Sequence, residues 1–123
     1  MGHHKSVVIR KERRRNRSKK TSFAHPNRNR LVIHRSLKHF EAQVIDDSKG
    51  HTILSASSKC KDLKPKLKNI KGKTDLSIKV GELLAIKAKK MKIKSVVLDR
   101  NGYPYHGRVK AFVESVRKNG LNL

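Results

Sequence analysis

The sequence has little sulfur, few acidic residues and few aromatic side chains. Its 123 residues include one cysteine, no tryptophan and nine Asp or Glu, and aromatic residues make up 4% of the chain. The single Cys60 excludes an intrachain disulfide and a zinc site built from several cysteines, a pattern typical of a reducing compartment. No apolar run approaches the length of a membrane span, and the sequence shows neither an amphipathic helix with a bulky apolar face nor a lipid anchor, so we expect no association with a membrane.

The feature in excess is positive charge. Thirty-two Lys and Arg residues stand against nine acidic residues, which gives a formal net charge of +23. Such an excess makes a folded chain repel itself unless a polyanion neutralises it. A phosphate backbone does this well, because each contacted phosphate releases a condensed counterion. The composition therefore indicates a protein that binds nucleic acid.

Residues 1–29 are predicted to form a basic arm. Eleven Lys and Arg residues and a single acid, Glu12, occur between Lys5 and Arg30, and almost nothing there can be buried. Since such a segment cannot offset its own ordering entropy, we expect the arm to be disordered alone and ordered on RNA. The run from Ile9 to Lys20 could become helical once its charge is neutralised. A solvated tail that only aids solubility is the alternative.

Residues 30–123 are predicted to form a single globular domain that begins with three strands. Leu31–Arg35 is rich in β-branched residues, and Phe40–Ile45 alternates apolar with polar side chains. Asp46–Gly50 is dense in turn-forming residues, and Thr52–Ser57 follows it as a third strand. Two successive hairpins of this kind form an antiparallel meander.

The rest of the chain predicts a helix, a strand and a second helix. After a cap at Thr74 or Asp75, one apolar stripe recurs at helical spacing: Leu76, Val80, Leu83, Leu84, Ala88 and Met91. A short strand at Val96–Leu98 follows, and a strand, helix and strand in succession imply parallel pairing. The second helix is predicted from about Gly107 to Asn119, with Gly120 as its left-handed cap and Leu121 as the apolar contact. The expected class is α/β, a small mixed four-stranded sheet with packed helices.

The segment Asp99–Arg108 carries the most informative chemistry. It follows a strand and opens a helix, so its backbone N–H groups can point at an anion. Arg100 and Arg108 offer planar forks for phosphate, and two glycines permit close approach of the backbone. Flat faces for stacking on bases come from Tyr103, Tyr105 and His106. The alternative is a structural turn with Tyr103 folded into the core.

The first hairpin, His34–His39, concentrates polar and basic groups where two strands meet, which favours an RNA surface. His34 could instead be a half-buried histidine with an internal partner. We expect no metal ion, because no pair of the later histidines has ligand spacing with a third donor nearby. A mixed sheet with helices resembles the ribonuclease H-like architecture. Nuclease chemistry is not expected, because the strands offer only Glu41 and Asp99 as carboxylates.

Two long segments resemble a known family. Arg30–Asp46 (RLVIHRSLKHFEAQVID) and Asp99–Leu123 (DRNGYPYHGRVKAFVESVRKNGLNL) are similar to bacterial large-subunit ribosomal protein eighteen, which binds 5S ribosomal RNA. The match runs in order from the basic arm to the C-terminus. The resemblance implies a meander joined by a parallel fourth strand, a ribonuclease H-like motif without the active site.

The resemblance also implies a function and its partners. It predicts a structural constituent of the cytoplasmic large ribosomal subunit that binds 5S ribosomal RNA and attaches it to the large ribosomal RNA in the central protuberance. Ribosomal proteins five and twenty-five are the implied neighbours, and the chain is implied to be a monomer in the ribosome, with no cofactor and no catalytic site. A nonspecific basic nucleic-acid-binding protein is the alternative.

The predicted RNA contacts fall into three groups. In the arm they are Arg10, Lys11, Arg13, Arg14, Arg15, Arg17, Lys19 and Lys20. On the hairpin and its strands the resemblance implies Arg30, His34, Arg35, Ser36, Lys38, His39 and Gln43. In the loop it implies Arg100, Tyr103, Tyr105, His106, Gly107 and Arg108.

Overall fold

The computed structural model describes residues 2–18, 28–61, 63, 65, 68, 70 and 72–123. In chain order the elements are α1 Gly2–Ser18, β1 Asn29–Arg35, β2 Phe40–Asp46, β3 His51–Ser57, α2 Lys73–Lys90, β4 Val96–Asp99 and α3 Arg108–Lys118. The order after α1 is the predicted one. Each predicted strand agrees with an observed strand to within two residues at either end.

The sheet has the strand order β3-β2-β1-β4. β1 pairs antiparallel with β2, and β2 pairs antiparallel with β3, which confirms the meander. β4 lies beside β1 in parallel, with Leu31 opposite Leu98 on one side and opposite Val44 on the other. The predicted α/β class and mixed four-stranded sheet are therefore confirmed.

One face of the sheet forms the core. The buried residues on this face are Leu31 and Ile33 of β1, Phe40, Ala42 and Val44 of β2, Val80, Leu84 and Ala88 of α2, and Val109, Phe112, Val113 and Val116 of α3. Phe40 and Phe112 pack at a centroid distance of 5.0 Å with their rings tilted by 41°. Because strand side chains alternate between faces, the residues between these core positions point away from the helices.

The opposite face of the sheet carries the polar strand residues of the predicted site. His34 on β1 and Gln43 on β2 are exposed there, and Gln43 lies opposite Val32 and Ser55 on its neighbours. Ion-paired Arg30 is on the same face by alternation. The predicted polar and basic strand residues therefore lie away from the hydrophobic core.

Helix α2 differs from the prediction at both ends. Its N-cap is Gly72, without a side-chain cap hydrogen bond, so the expected cap at Thr74 or Asp75 is wrong. Asp75 lies in the first turn instead, where a carboxylate complements the helix dipole. Met91, predicted in the apolar stripe, is 55% exposed because the helix ends at Lys90.

The C-terminal helix α3 ends as predicted. Gly120 has φ +100°, and its N–H donates to the Arg117 carbonyl. Leu121 is buried next to this turn. The chain then returns to β4, where the Val96 N–H donates to the Asn122 carbonyl at 2.9 Å. This closing contact fixes the start of β4, the strand that leads into the predicted RNA loop.

Helix α1 carries the described part of the basic arm. Every side chain described from Arg10 to Arg17 is exposed. Lys19 and Lys20 lie outside the described residues. That the arm becomes ordered only on RNA stays a prediction. The boundary between the arm and the globular domain at residue 29 stays a prediction as well. In the described part of the chain, no helix combines the length and the apolar content that crossing a membrane requires.

Candidate nucleic-acid interface

The parallel pairing of β1 and β4 brings the hairpin and the loop together. Carboxyl ends of parallel strands meet at one edge of a sheet. β1 ends at Arg35 and leads into the hairpin, and β4 ends at Asp99 and leads into the loop. Residues 34–39 and 100–108 therefore form one continuous region, which we call the hairpin–loop surface.

Tyr103 fixes the loop to the hairpin. Its hydroxyl accepts a hydrogen bond from the Arg35 N–H at 3.4 Å and lies 3.3 Å from Nδ1 of His34. The Arg35 guanidinium carbon lies 4.8 Å from the centroid of the Tyr103 ring, a cation–π contact. The ring is half-buried and packs against the core. Tyr103 thus has the structural position that was the alternative to base stacking.

Arg108 makes the second connection between the two segments. Its Nη1 donates to the Ser36 carbonyl at 2.7 Å, across 72 residues of sequence. Arg108 is also the first residue of α3. The residue is half-buried and its guanidinium is bonded to the hairpin, so its position is restricted by the protein itself. An arginine held in this way still has further N–H groups with which it can bind phosphate.

The hairpin turn is stabilised from within. The Ser36 N–H donates to the His39 carbonyl at 2.9 Å, and the His39 N–H donates to the Ser36 hydroxyl at 3.1 Å. Nδ1 of His39 lies 2.9 Å from the hydroxyl of buried Ser58, which also accepts from the Phe40 N–H. Both turn residues predicted to contact RNA therefore have defined positions.

Arg30 is held by two carboxylates. Its Nη2 lies 3.0 Å from the Asp47 carboxylate, and its Nη1 lies 2.7 Å from the Asp99 carboxylate. These contacts raise the pKa of Arg30, and the hydrogen bond to Asp47 is the largest cause. The other Asp99 oxygen accepts from the Asn101 N–H at 2.9 Å. This network orients the start of the loop. Its protein partners occupy much of the Arg30 fork, and the predicted RNA contact of Arg30 stays a prediction.

The remaining members of the surface face solvent. Lys38, Arg100, Tyr105, His106 and Gly107 are all exposed, with Tyr105 at 38%. These side chains have the accessibility that phosphate binding or base stacking requires. Leu37 lies at the tip of the hairpin, where its side chain is 83% exposed.

Gln43 lies apart from the centre of this surface. Gln43 is three residues from the hairpin end of β2, roughly 10 Å along the strand. Sequence reasoning also missed Asp47 and Asp99 as anchors of the site. The chain has only nine acidic residues, so the position of Asp99 at the end of a predicted buried strand was the signal that could have revealed it.

Neither carboxylate from the nuclease alternative has a metal-binding arrangement. Asp99 pairs with Arg30, and Glu41 lies 3.9 Å from Nζ of Lys59. The described residues contain no cluster of three or more His, Cys, Asp or Glu side chains suited to a metal ion. The site has the chemistry of anion recognition, because its exposed groups are donors, cations and flat rings.

Comparison with known proteins gives a consistent result. Residues 5–123 match the family described as ribosomal L18 of archaea, bacteria, mitochondria and chloroplast. A large ribosomal subunit protein uL18 from Brachyspira hyodysenteriae is 43% identical over 98% of both chains. The Aquifex aeolicus uL18 is 47% identical over 89% of both chains, and the Staphylococcus haemolyticus uL18 is 53% identical over 75% of this chain and 74% of that relative.

These matches span the hairpin, the loop and most of the described arm. They confirm the predicted resemblance, which rested on the two segments at residues 30–46 and 99–123. The family consists of structural parts of the ribosome, so the prediction that the chain is not an enzyme is confirmed as well. The chain belongs to the ribosomal protein L18 family.

Proposed function

We propose that this chain is a structural constituent of the large ribosomal subunit that binds 5S ribosomal RNA and helps attach it to the large ribosomal RNA in the central protuberance. Its family and the names of its relatives support the ribosomal role. The hairpin–loop surface supports the finer assignment to one RNA. Its place is the cytoplasmic ribosome, where it acts as a monomer.

The observation that carries this proposal is the pre-formed connection between hairpin and loop. Arg108 bonds the hairpin carbonyl of Ser36, and Tyr103 bonds the backbone of Arg35. Because these contacts are made within the protein, the surface loses little further freedom on binding. Donors and rings held at fixed separations recognise the shape of one folded RNA better than mobile charges do.

The three groups of predicted contacts have different roles in this proposal. Arg10 to Lys20 in the arm contribute phosphate contacts, which add affinity without reading sequence. The exposed side chains of Lys38, Arg100, Tyr105 and His106 contact the RNA directly. Gln43 marks a second contact region on the polar sheet face, where a flat surface can meet another stretch of RNA or a neighbouring ribosomal protein.

The proposed partners beyond 5S ribosomal RNA are the large ribosomal RNA and ribosomal proteins five and twenty-five. Depletion of this chain from growing cells tests the assembly role. Large subunits should then sediment with less 5S ribosomal RNA, and the full-length chain should restore that content. Undiminished 5S ribosomal RNA in depleted particles would contradict the proposal.

Selectivity of the isolated protein tests the binding role. At salt concentrations that screen the arm, the protein should prefer 5S ribosomal RNA to a transfer RNA and to duplex DNA by at least about a hundredfold. Equal affinity for all three would instead support the nonspecific basic nucleic-acid-binding protein. The measurement is a filter-binding titration over a range of salt concentrations.

A further inference from the structure

Helix α1 lies unusually close to the loop at Gly102. A Cβ atom placed on Gly102 would lie 2.9 Å from the Arg15 nitrogen and 3.1 Å from the Arg15 Cα, both in the backbone of α1. The φ angle of Gly102 is +82°, which also favours glycine. Any side chain at this position would push α1 away from the loop.

A cleft of about 560 Å³ opens between α1 and the loop. The described residues that line it are Arg14, Arg17, Leu98, Arg100, Gly102, Tyr103 and Pro104. Three of these are arginines and none is acidic. The cleft is therefore a place where three positive groups from two separate segments face the same volume.

Three guanidinium groups around one cleft repel each other unless an anion enters. None of the three arginines, Arg14, Arg17 and Arg100, forms an ion pair with another described residue, whereas Arg30 forms two. Their planar forks suit the oxygens of a phosphate. The volume exceeds what a single phosphate needs and accommodates a sugar with its phosphate.

We infer that this cleft holds a sugar-phosphate segment of the RNA, and that the bound phosphate joins α1 to the loop. The inference rests on the proposed function, because it takes the ligand to be RNA. RNA is favoured because exposed Tyr105 and His106 follow Pro104 at the cleft rim, where flat rings can stack on the adjoining bases. The arm then acts partly inside the structured site, and Gly102 is a positioning residue for it.

A charge-matched pair of variants tests the cleft. Arg14→Gln/Arg17→Gln and Lys11→Gln/Arg13→Gln each remove two positive charges from α1, and only the first pair lines the cleft. The first variant should bind 5S ribosomal RNA about tenfold more weakly than the second in full-length protein at the same salt. Equal losses in the two variants would overturn the inference.

A glycine pair tests the close approach. Gly102 and Gly50 both have positive φ, so alanine strains the backbone at either position. A Cβ at Gly50 meets no described atom within 4 Å, whereas a Cβ at Gly102 meets the backbone of α1. Only the Gly102 substitution therefore displaces α1. Gly102→Ala should weaken RNA binding by about tenfold relative to Gly50→Ala, with both proteins folded by circular dichroism. Equal affinity of the two folded variants would overturn the inference.

Combining the two pairs separates the cleft from general charge loss. In a Gly102→Ala background, Arg14→Gln/Arg17→Gln and Lys11→Gln/Arg13→Gln should weaken RNA binding by the same factor, because the cleft no longer exists. A persisting difference would show that Arg14 and Arg17 act without the loop, which overturns the inference. The wild-type preference for 5S ribosomal RNA over a transfer RNA tests the proposed function separately. The cleft is tested by comparing the affinities of different variants for 5S ribosomal RNA alone.

Discussion

The arm and the hairpin–loop surface are both strongly basic, but their charges are held in different ways. On α1, seven Lys and Arg residues accompany one acid, and they form no ion pair with any described residue. On the hairpin–loop surface, Arg35 rests on Tyr103 and Arg108 bonds the Ser36 carbonyl. Arg30, just below this surface, lies between two carboxylates.

This difference separates affinity from discrimination. Unpaired, exposed cations attract any phosphate backbone, and their effect falls steeply as salt rises. Cations fixed by internal partners present donors at set positions, so they favour an RNA whose phosphates and bases match those positions. Net charge alone therefore does not reveal which basic region of a protein can discriminate between RNAs.

The largest effect should follow deletion of residues 1–20. We expect binding to any RNA to weaken by about a thousandfold at low salt, because nine Lys and Arg residues are removed. The dependence of affinity on salt should also become shallower by several units in the logarithmic slope. An unchanged slope would mean that the arm contacts no phosphates. The measurement is affinity for 5S ribosomal RNA and transfer RNA across a salt series.

The next largest effect should come from Asp99→Ala. The buried carboxylate bonds Arg30 and the Asn101 N–H, so its loss breaks a buried ion pair and leaves the part-buried Asn101 N–H without its acceptor, which should cost about 3 kcal/mol of the free energy of unfolding. Asp47→Ala, at the exposed end of the same network, should cost about 1 kcal/mol or less. Denaturant unfolding compares the two. Equal losses of stability in the two variants would show that Asp99 is not the main anchor of the loop.

The two tyrosines of the loop should behave oppositely. Tyr103→Ala should lower the free energy of unfolding by about 2 kcal/mol, because it removes a half-buried ring and the contacts to Arg35. Tyr105→Ala should leave stability within about 0.5 kcal/mol, because the ring is exposed. It should still weaken 5S ribosomal RNA binding by about tenfold through lost stacking. An unaltered affinity would exclude stacking by Tyr105.

The smallest effect should be at Asp46 and Ser48, which do not bond Arg30, in the turn after β2. Asp46 accepts hydrogen bonds from the Ser48 hydroxyl and backbone, which lower the pKa of its carboxyl. The resulting stability is present above the ordinary pKa of aspartate and is lost as pH falls through the lowered value. Ser48→Ala should raise the pKa of Asp46 in an NMR titration while RNA affinity stays the same. A change in affinity would extend the RNA surface to this turn.

Sequence patterns predicted most of the fold because the strands alternate and the helices carry apolar stripes. Met91 was misplaced because the apolar spacing continues one residue beyond the point where the helix ends. The site was predicted less completely. Its two segments were found from their composition, but the roles of Tyr103 and Arg30 depend on partners 68 and 69 residues away. Only the parallel pairing of β1 and β4 reveals those partners.

The central claim is that the hairpin–loop surface, and not the arm, selects the RNA. The most direct test is the ratio of affinities for 5S ribosomal RNA and a transfer RNA, measured with the chain lacking residues 1–20. We predict that both affinities fall while their ratio stays at about a hundredfold or more. A ratio near one in the deleted chain, with a high ratio in the full-length protein, would place discrimination in the arm and contradict the account.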